Sequence, residues 1–248
     1  MAVMRRRDVL ITTLIFLLIW QVLAGVIRRD ILPAPTQVVE AMATYAGELG
    51  RHALASALRV VVSILIAVVL AVPAGLAMGQ MPRLNRLFAP LVYLVYPIPK
   101  IVFFPIILLF AGAGDVSKVL IIVLILFFQI LVPVRDDAIG LRPELLNSVK
   151  SLGAGRRALF RFVYVPASLP AVLTALRLSI GTAIAVLYLT ETTATLHGLG
   201  YFIYYTASTL FDYAATYAGA VVMGLLGLGL YFLIDGLERR LCPWKFAA

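Results

Sequence analysis

Apolar residues gather into six long blocks, at about 9–27, 53–78, 87–111, 116–134, 167–190 and 213–234, with polar residues collected between them. A helix needs about 20 apolar residues to cross a hydrocarbon core, so the pattern predicts an all-α membrane protein with six transmembrane helices. The first block follows Arg5, Arg6 and Arg7 and is followed directly by Arg28 and Arg29. It is longer than the apolar core of a signal peptide and reads as a retained anchor. The third block holds Pro90, Pro97, Pro99 and Pro105. Proline removes a backbone donor and kinks a helix, so this block predicts a broken helix or two short ones. Such breaks persist at membrane depth only where protein or a water-filled cavity satisfies the freed carbonyls. The third block is therefore a candidate pathway wall, with a merely bent packing helix as the plainer alternative.

The segments between blocks carry their own periodicity. After Leu32-Pro33-Ala34-Pro35, Thr36 reads as an N-cap, and Val38, Met42, Tyr45 and Leu49 recur at helical spacing up to Gly50. This predicts a short amphipathic helix lying as a lid at the outer interface. Small residues mark close helix approach in lipid. They form a ladder at Ala171, Ala175, Ser179 and Ala183, a G-x-x-x-G at Gly75 and Gly79, and a pair at Ala220 and Gly224.

The longest polar insertion is 135–166. Pro143 suits the first turn of a helix, Glu144 its positive end, and Leu145, Leu146, Val149 and Leu152 make an apolar stripe, with Lys150 late in the helix. Gly153 supplies a left-handed stop. A second short helix is expected over 156–164, before Pro166 and Pro170 open the fifth block. A short amphipathic helix outside the membrane needs a cover for its stripe, either lipid headgroups or a groove in a soluble partner. Periodicity alone does not choose between them.

Composition and charge sharpen the picture. Hydrophobic residues make up 62% and charged residues 13%, against about 25% charged in a soluble domain, which argues against a soluble globular protein. The net charge of +9 would suggest nucleic acid in a soluble protein, but here its distribution is topological. With the N-terminus inside, fourteen Lys and Arg fall on inner segments and four (Arg28, Arg29, Arg51, Lys118) on outer ones. Positively charged loops stay cytoplasmic, so both termini are cytoplasmic. Cys242 stands alone and excludes an intrachain disulfide, and His52 and His197 form no zinc spacing.

Ionisable residues within spans are functional candidates by default. Lys100 lies in the proline-rich block, Arg59 near the outer end of the second, Arg177 in the fifth and Glu191 at its outer end. Lys100 or Arg177 is suited to attract an anion, or equally to pair with a carboxylate or snorkel to an interface. Tyr201, Tyr204 and Tyr205 read as an interfacial aromatic belt, and the two histidines as interfacial hydrogen-bond donors.

The inner loop resembles that of the inner-membrane permease subunits of bacterial ABC importers, whose pattern is E-A-A-x3-G-x9-I-x-L-P. Asn147-Ser148-Val149 stand in the first place, Gly153 follows after three residues, and Val163-Tyr164-Val165-Pro166 after nine more. The departure is Asn147, which lacks the acidic group. Further segments are similar to the nitrate/sulfonate/taurine-type subgroup. They are Leu32 to Pro35, His52 with Ser56 and Arg59, Pro97-Ile98-Pro99-Lys100 with Pro105, Gly112 to Asp115 with Ser117-Lys118, and Glu191 with Gly198-Leu199-Gly200.

The resemblance implies a single permease domain over 1–248, with the ABC importer permease fold, in the bacterial inner membrane. It implies work as a homodimer with two ABC ATPase subunits and a periplasmic or lipoprotein substrate-binding protein. The helix at 143–152 would be the coupling helix, with Glu144, Leu145, Leu146, Asn147, Ser148, Val149, Lys150, Leu152, Gly153 and Pro166 as its ATPase-coupling residues. Pro97, Pro99, Lys100, Arg177 and Glu191 are the candidate pathway residues. The cargo tendency is a small anion such as nitrate, a sulfonate or taurine, with a pyrimidine precursor of thiamine as the alternative. No Walker-type G-x-x-x-x-G-K-[ST] occurs, so this chain is expected to bind no cofactor, with ATP and Mg held by the partner ATPase. The competing classes are an intramembrane enzyme, for which no H-E-x-x-H, G-x-S-x-G or inward carboxylate pair is found, and a passive channel, which has no use for the spaced loop.

Overall fold

The computed structural model describes residues 6–193 and 195–245; Arg5, one of the inner basic residues, lies outside them. The described chain is helical: α1 (Arg6–Ile27), α2 (Pro35–Thr44), α3 (Ala46–Gln80), α4 (Pro82–Val95), α5 (Phe104–Ala111), α6 (Asp115–Ile139), α7 (Pro143–Ser151), α8 (Arg156–Leu159), α9 (Val165–Glu191), α10 (Leu199–Tyr205) and α11 (Tyr213–Leu241). Five helices are long and apolar enough to cross a membrane, and α4 with the segment Lys100–Ala111 makes a sixth if the bent pair is one span. That pair is bent by 84°. Pro97 and Pro99 sit at the bend, where each withholds an amide that helix continuation requires.

Three sequence expectations give way to other solutions. The residue capping α2 is Ala34, not Thr36: Pro35 opens the helix, and the Gln37 side chain accepts the Ala34 amide at 2.8 Å. Gly50 does not end the outer helix, because the chain breaks earlier, at Tyr45, and α3 runs through Gly50 for 35 residues. One glycine costs a helix interior only about 1 kcal/mol, too little to stop a strongly apolar span. The helix at 156–164 is likewise no separate element. A π-helical turn (Phe160–Tyr164) carries α8 into α9, with the Val165 amide bonded to the Phe160 carbonyl. The wider turn lies just before Pro166, whose missing amide also interrupts the ladder.

The described chain divides into two compact units. One holds the residues up to Ala55 with Glu191–Gly224, the other Ser56–Thr190 with the residues from Leu225 onward. In the first, Val38 and Leu49 of the outer stripe are buried with Leu199, Ala215 and Ala218. In the second, Val60, Ala67 and Ala71 of α3, Ile121, Leu126 and Val134 of α6, and Ala183 and Leu187 of α9 form the core. A Cβ on Gly75 would stand 2.9 Å from the Leu131 carbonyl, and one on Gly79 2.5 Å from the Ala138 Cβ, so this G-x-x-x-G is the seam against α6. Ala220 and Gly224 behave otherwise: both are exposed, and a Cβ on Gly224 would meet nothing. The apolar length of α1 is mostly exposed as well, with Ala24 buried and Trp20 half-buried.

Candidate functional site

The broken third span is organised by Lys100. The carbonyl of Val95 would ordinarily pair with the amide of residue 99, which is a proline. That carbonyl takes the Ile98 amide at 3.2 Å instead, and the Lys100 Nζ adds a second donor, bonding Val95 O at 3.2 Å, Tyr96 O at 2.9 Å and Ile98 O at 3.3 Å. A cation at a helix C-terminus also complements the dipole, and the ammonium lies 4.8 Å from the Phe128 ring. Lys100 thus gathers the carbonyls that the chain presents where it bends at Pro97 and Pro99. Beside them is a pocket of about 360 Å³ lined by Tyr96, Lys100, Phe128, Gln129 and Thr182, among others. Gln129 Nε2 donates to Thr182 Oγ1 at 3.2 Å, while its buried Oε1 has no donor among the described residues. Gln129 and Thr182 carry no charge, so the rule that singles out ionisable residues within spans passes over them.

Glu191 is fully buried and accepts the Gly200 amide at 2.9 Å. Gly198 holds φ at 120°, and a Cβ there would collide with the Glu191 carboxyl group. The spacing of Glu191 to Gly198-Leu199-Gly200 is therefore a structural one: the carboxylate satisfies a first-turn amide of α10, and the glycine lets the chain pass over it. His52 also serves this turn. Its Nδ1 accepts the Gly198 amide at 3.0 Å, so at this nitrogen it is an acceptor rather than a donor. Tyr201 stacks on Tyr205 at 5.6 Å, and Tyr204 is half exposed, as at an interface.

Arg177 is committed to carboxylates. Its Nη1 lies 3.0 Å from Asp235 Oδ1 and 3.1 Å from Glu238 Oε2. Glu238 has no exposed surface and also meets Lys245 at 2.5 Å, while Arg239 pairs with Asp235 at 3.0 Å. This cluster joins α9 to the inner end of α11. The carboxylates were missed as partners because the apolar block stops at residue 234, whereas the helix continues to Leu241. Cys242 is buried beside the cluster, and burial followed by the Glu238 charge pushes its thiol pKa up. Arg59, also buried, pairs with the exposed Asp115 at 2.6 Å.

The inner loop is built differently. Arg142 is extended, Pro143 opens α7, Glu144 lies in its first turn and Lys150 in its last. The Gly153 amide bonds the Lys150 carbonyl at 2.9 Å and the Ala154 amide the Val149 carbonyl at 3.4 Å, with Gly153 at φ 80°. This is the paired closure of a Schellman motif. Leu145 is 46% and Leu152 85% exposed, Asn147, Ser148 and Lys150 are exposed, and Leu146, Val149 and Pro166 are partly covered. A rigid, capped helix with an open apolar stripe stands at the inner end of the spans.

Long apolar helices, a broken span and a capped amphipathic helix on the basic side together define a membrane transport subunit. The model of the binding-protein-dependent transport system inner membrane component matches residues 63–243, and the chain belongs to that family. It is 30% identical over 242 residues to the taurine transport system permease protein TauC of Escherichia coli, covering 94% of this chain and 88% of that protein. It is 31% identical over 234 residues to the formylaminopyrimidine transport permease protein ThiX of Halalkalibacterium halodurans, covering 94% and 93%. Against the putative aliphatic sulfonates transport permease protein SsuC of Bacillus subtilis it is 27% identical over 235 residues, covering 93% and 85%. A chain of the MetNI methionine ABC transporter, solved in inward-facing conformations, shares the fold at a TM-score of 0.70 and 18% identity, covering 80% of this chain and 98% of that one. The protein is thus a multi-pass inner-membrane permease of a binding-protein-dependent ABC importer. It is a non-catalytic subunit whose ATP is used by partner ATPase subunits.

Proposed function

We propose that this permease carries a small sulfonate such as taurine across the inner membrane, as one of two identical copies, with α7 as the lever moved by the ATPase. The observation that carries the cargo reading is the 30% identity to the taurine permease over nearly the whole chain, joined by the sulfonate permease at 27%. The broken third span supports a pathway role for Pro97, Pro99 and Lys100, because interrupted helices in transporters line the binding cavity. An anion entering the pocket meets the Lys100 charge, although its donors are occupied, and the Thr182 hydroxyl. Arg177 and Glu191 act here as positioning residues, through Asp235 with Glu238 and through the Gly200 amide.

The coupling role of α7 is supported by its exposed apolar stripe, which suits a groove in a soluble partner. The acidic group of the family pattern is absent at Asn147, so apolar contact from Leu145, Leu146 and Val149 takes the larger share of docking, with Gly153 fixing the direction in which the chain leaves. A second cargo, a formylaminopyrimidine, is favoured by the 31% identity to ThiX. The deciding experiment is uptake by proteoliposomes holding the reconstituted importer and its binding protein. Saturable, ATP-dependent uptake of radiolabelled taurine supports the proposal; uptake of formylaminopyrimidine with taurine excluded replaces it by the second reading.

A further inference from the structure

The outer end of α1 carries two adjoining hollows that lie outside the proposed pathway. One is a polar pocket of about 680 Å³ that includes Arg28, Arg29, Asp30 and Asp212 in its wall. The other is an apolar groove of about 380 Å³ formed by Phe16, Ile19, Trp20, Leu23, Leu32 and Tyr217. Leu32 belongs to both, and the Trp20 indole donates to the Pro33 carbonyl at 3.0 Å, tying the floor of one to the wall of the other. Arg28 stands eight residues beyond Trp20, about 12 Å along the helix axis. The headgroup layer of one leaflet is roughly 5–7 Å deep, so a phosphate held at Arg28 leaves Trp20 at the depth of the acyl chains.

The pocket wall is strained. Among the described residues, the non-glycine residues with positive φ are Arg28 at 47° and Phe211 at 55°, and both line this pocket. Arg28 occupies the left-handed position that ends α1, where glycine is usual, and its Nε donates to the Gly25 carbonyl at 3.1 Å. Strain of this kind concentrates at ligand sites. The charges balance, two cations against two anions. Asp212 is already engaged by the Tyr45 hydroxyl and the Ala215 amide, both at 2.9 Å, which leaves the exposed Asp30 as the other carboxylate of the pocket wall.

We propose that these hollows hold one zwitterionic phospholipid of the outer leaflet, such as phosphatidylethanolamine. Its phosphate lies between Arg28 and Arg29, its ammonium faces Asp30, and one acyl chain runs down the groove past Trp20. An anionic lipid lacks the group that Asp30 requires, and a free phosphate lacks the chain that the groove requires.

The test is native mass spectrometry of the assembled importer purified in mild detergent and supplied with vesicles of phosphatidylethanolamine and phosphatidylglycerol in equal amounts. The wild-type complex retains phosphatidylethanolamine in preference, and excess inorganic phosphate does not displace it. The double variant Arg28→Gln, Arg29→Gln loses at least fivefold in retention, through its lost charge-assisted hydrogen bonds. Leu23→Trp, which fills the groove and leaves the arginines in place, loses retention too. Arg51→Gln, at a separate outer pocket, keeps it. Equal retention by wild type and both variants overturns the site. So does preference for phosphatidylglycerol, displacement by phosphate, or a wild-type complex that holds no lipid because a second subunit covers α1.

Discussion

The carboxyl group of Glu191 lies directly against the α-carbon of Gly198, leaving no room for a side chain between them. Gly198→Ala forces a methyl group into a buried carboxylate and imposes φ of 120° on a residue that resists it. Overpacking and left-handed strain together cost about 2–4 kcal/mol. Thermal unfolding of the purified complex should show a drop of several degrees. An unchanged transition would mean that the α10 turn is not held by Glu191.

The seam between α3 and α6 predicts a contrast among glycines. Gly79→Ala brings a Cβ to 2.5 Å from that of Ala138 and 2.9 Å from the Arg135 carbonyl, and should cost about 1–3 kcal/mol. Gly229→Ala in α11 meets nothing within 4 Å and should be neutral or slightly stabilising through helix propensity. Melting curves of the two variants in one detergent settle the comparison; similar losses would place the seam elsewhere.

These cases show what could be read from sequence. The helix at Pro143 and the stop at Gly153 were legible because capping and turn chemistry are local, and the bend at Pro97 and Pro99 because proline acts on its own backbone. Partners distant in the chain were not. Nothing in hydropathy ties Arg177 to Glu238, 61 positions away, or tells that Glu191 accepts the Gly200 amide. Gly75 and Gly224 are alike in sequence, yet one is a packing seam and the other is exposed, because only the folded neighbours distinguish them.

Arg177 offers a test through removal of one partner at a time. Arg177→Met leaves Glu238 fully buried with Lys245 as its remaining cation. Breaking a fully buried pair costs 3–5 kcal/mol; with Arg177 and Asp235 about one-fifth exposed, roughly 1–3 kcal/mol is expected. Adding Glu238→Met should recover part of the loss, because the unpaired buried charge is then gone. A double-mutant cycle on thermal stability measures this coupling, and strict additivity would contradict it.

The same cluster governs Cys242. Burial and the Glu238 charge favour the neutral thiol, so its pKa in the folded chain lies above that of the unfolded one. Only the thiolate is alkylated rapidly. The pH profile of maleimide labelling should therefore have its midpoint at higher pH in the native complex than after denaturation. A native midpoint at or below the denatured one would argue against this environment.

Gly153 offers a test of whether α7 acts as the proposed lever. Its φ of 80° is open to glycine and tolerable for asparagine, and a Cβ there meets no atom within 4 Å. Gly153→Asn should therefore retain uptake, and Gly153→Ala should weaken the turn by about 1 kcal/mol. Gly153→Pro is different in kind, because proline fixes φ near −65° and has no amide to bond the Lys150 carbonyl. The end of α7 then opens and Leu152 leaves its place, while the spans, which lie apart from this turn, insert normally. Uptake and binding-protein-stimulated ATP hydrolysis should fall together in the proline variant, with its amount in the membrane unchanged. If the proline variant transports as well as the asparagine one, α7 does not transmit the motion of the ATPase.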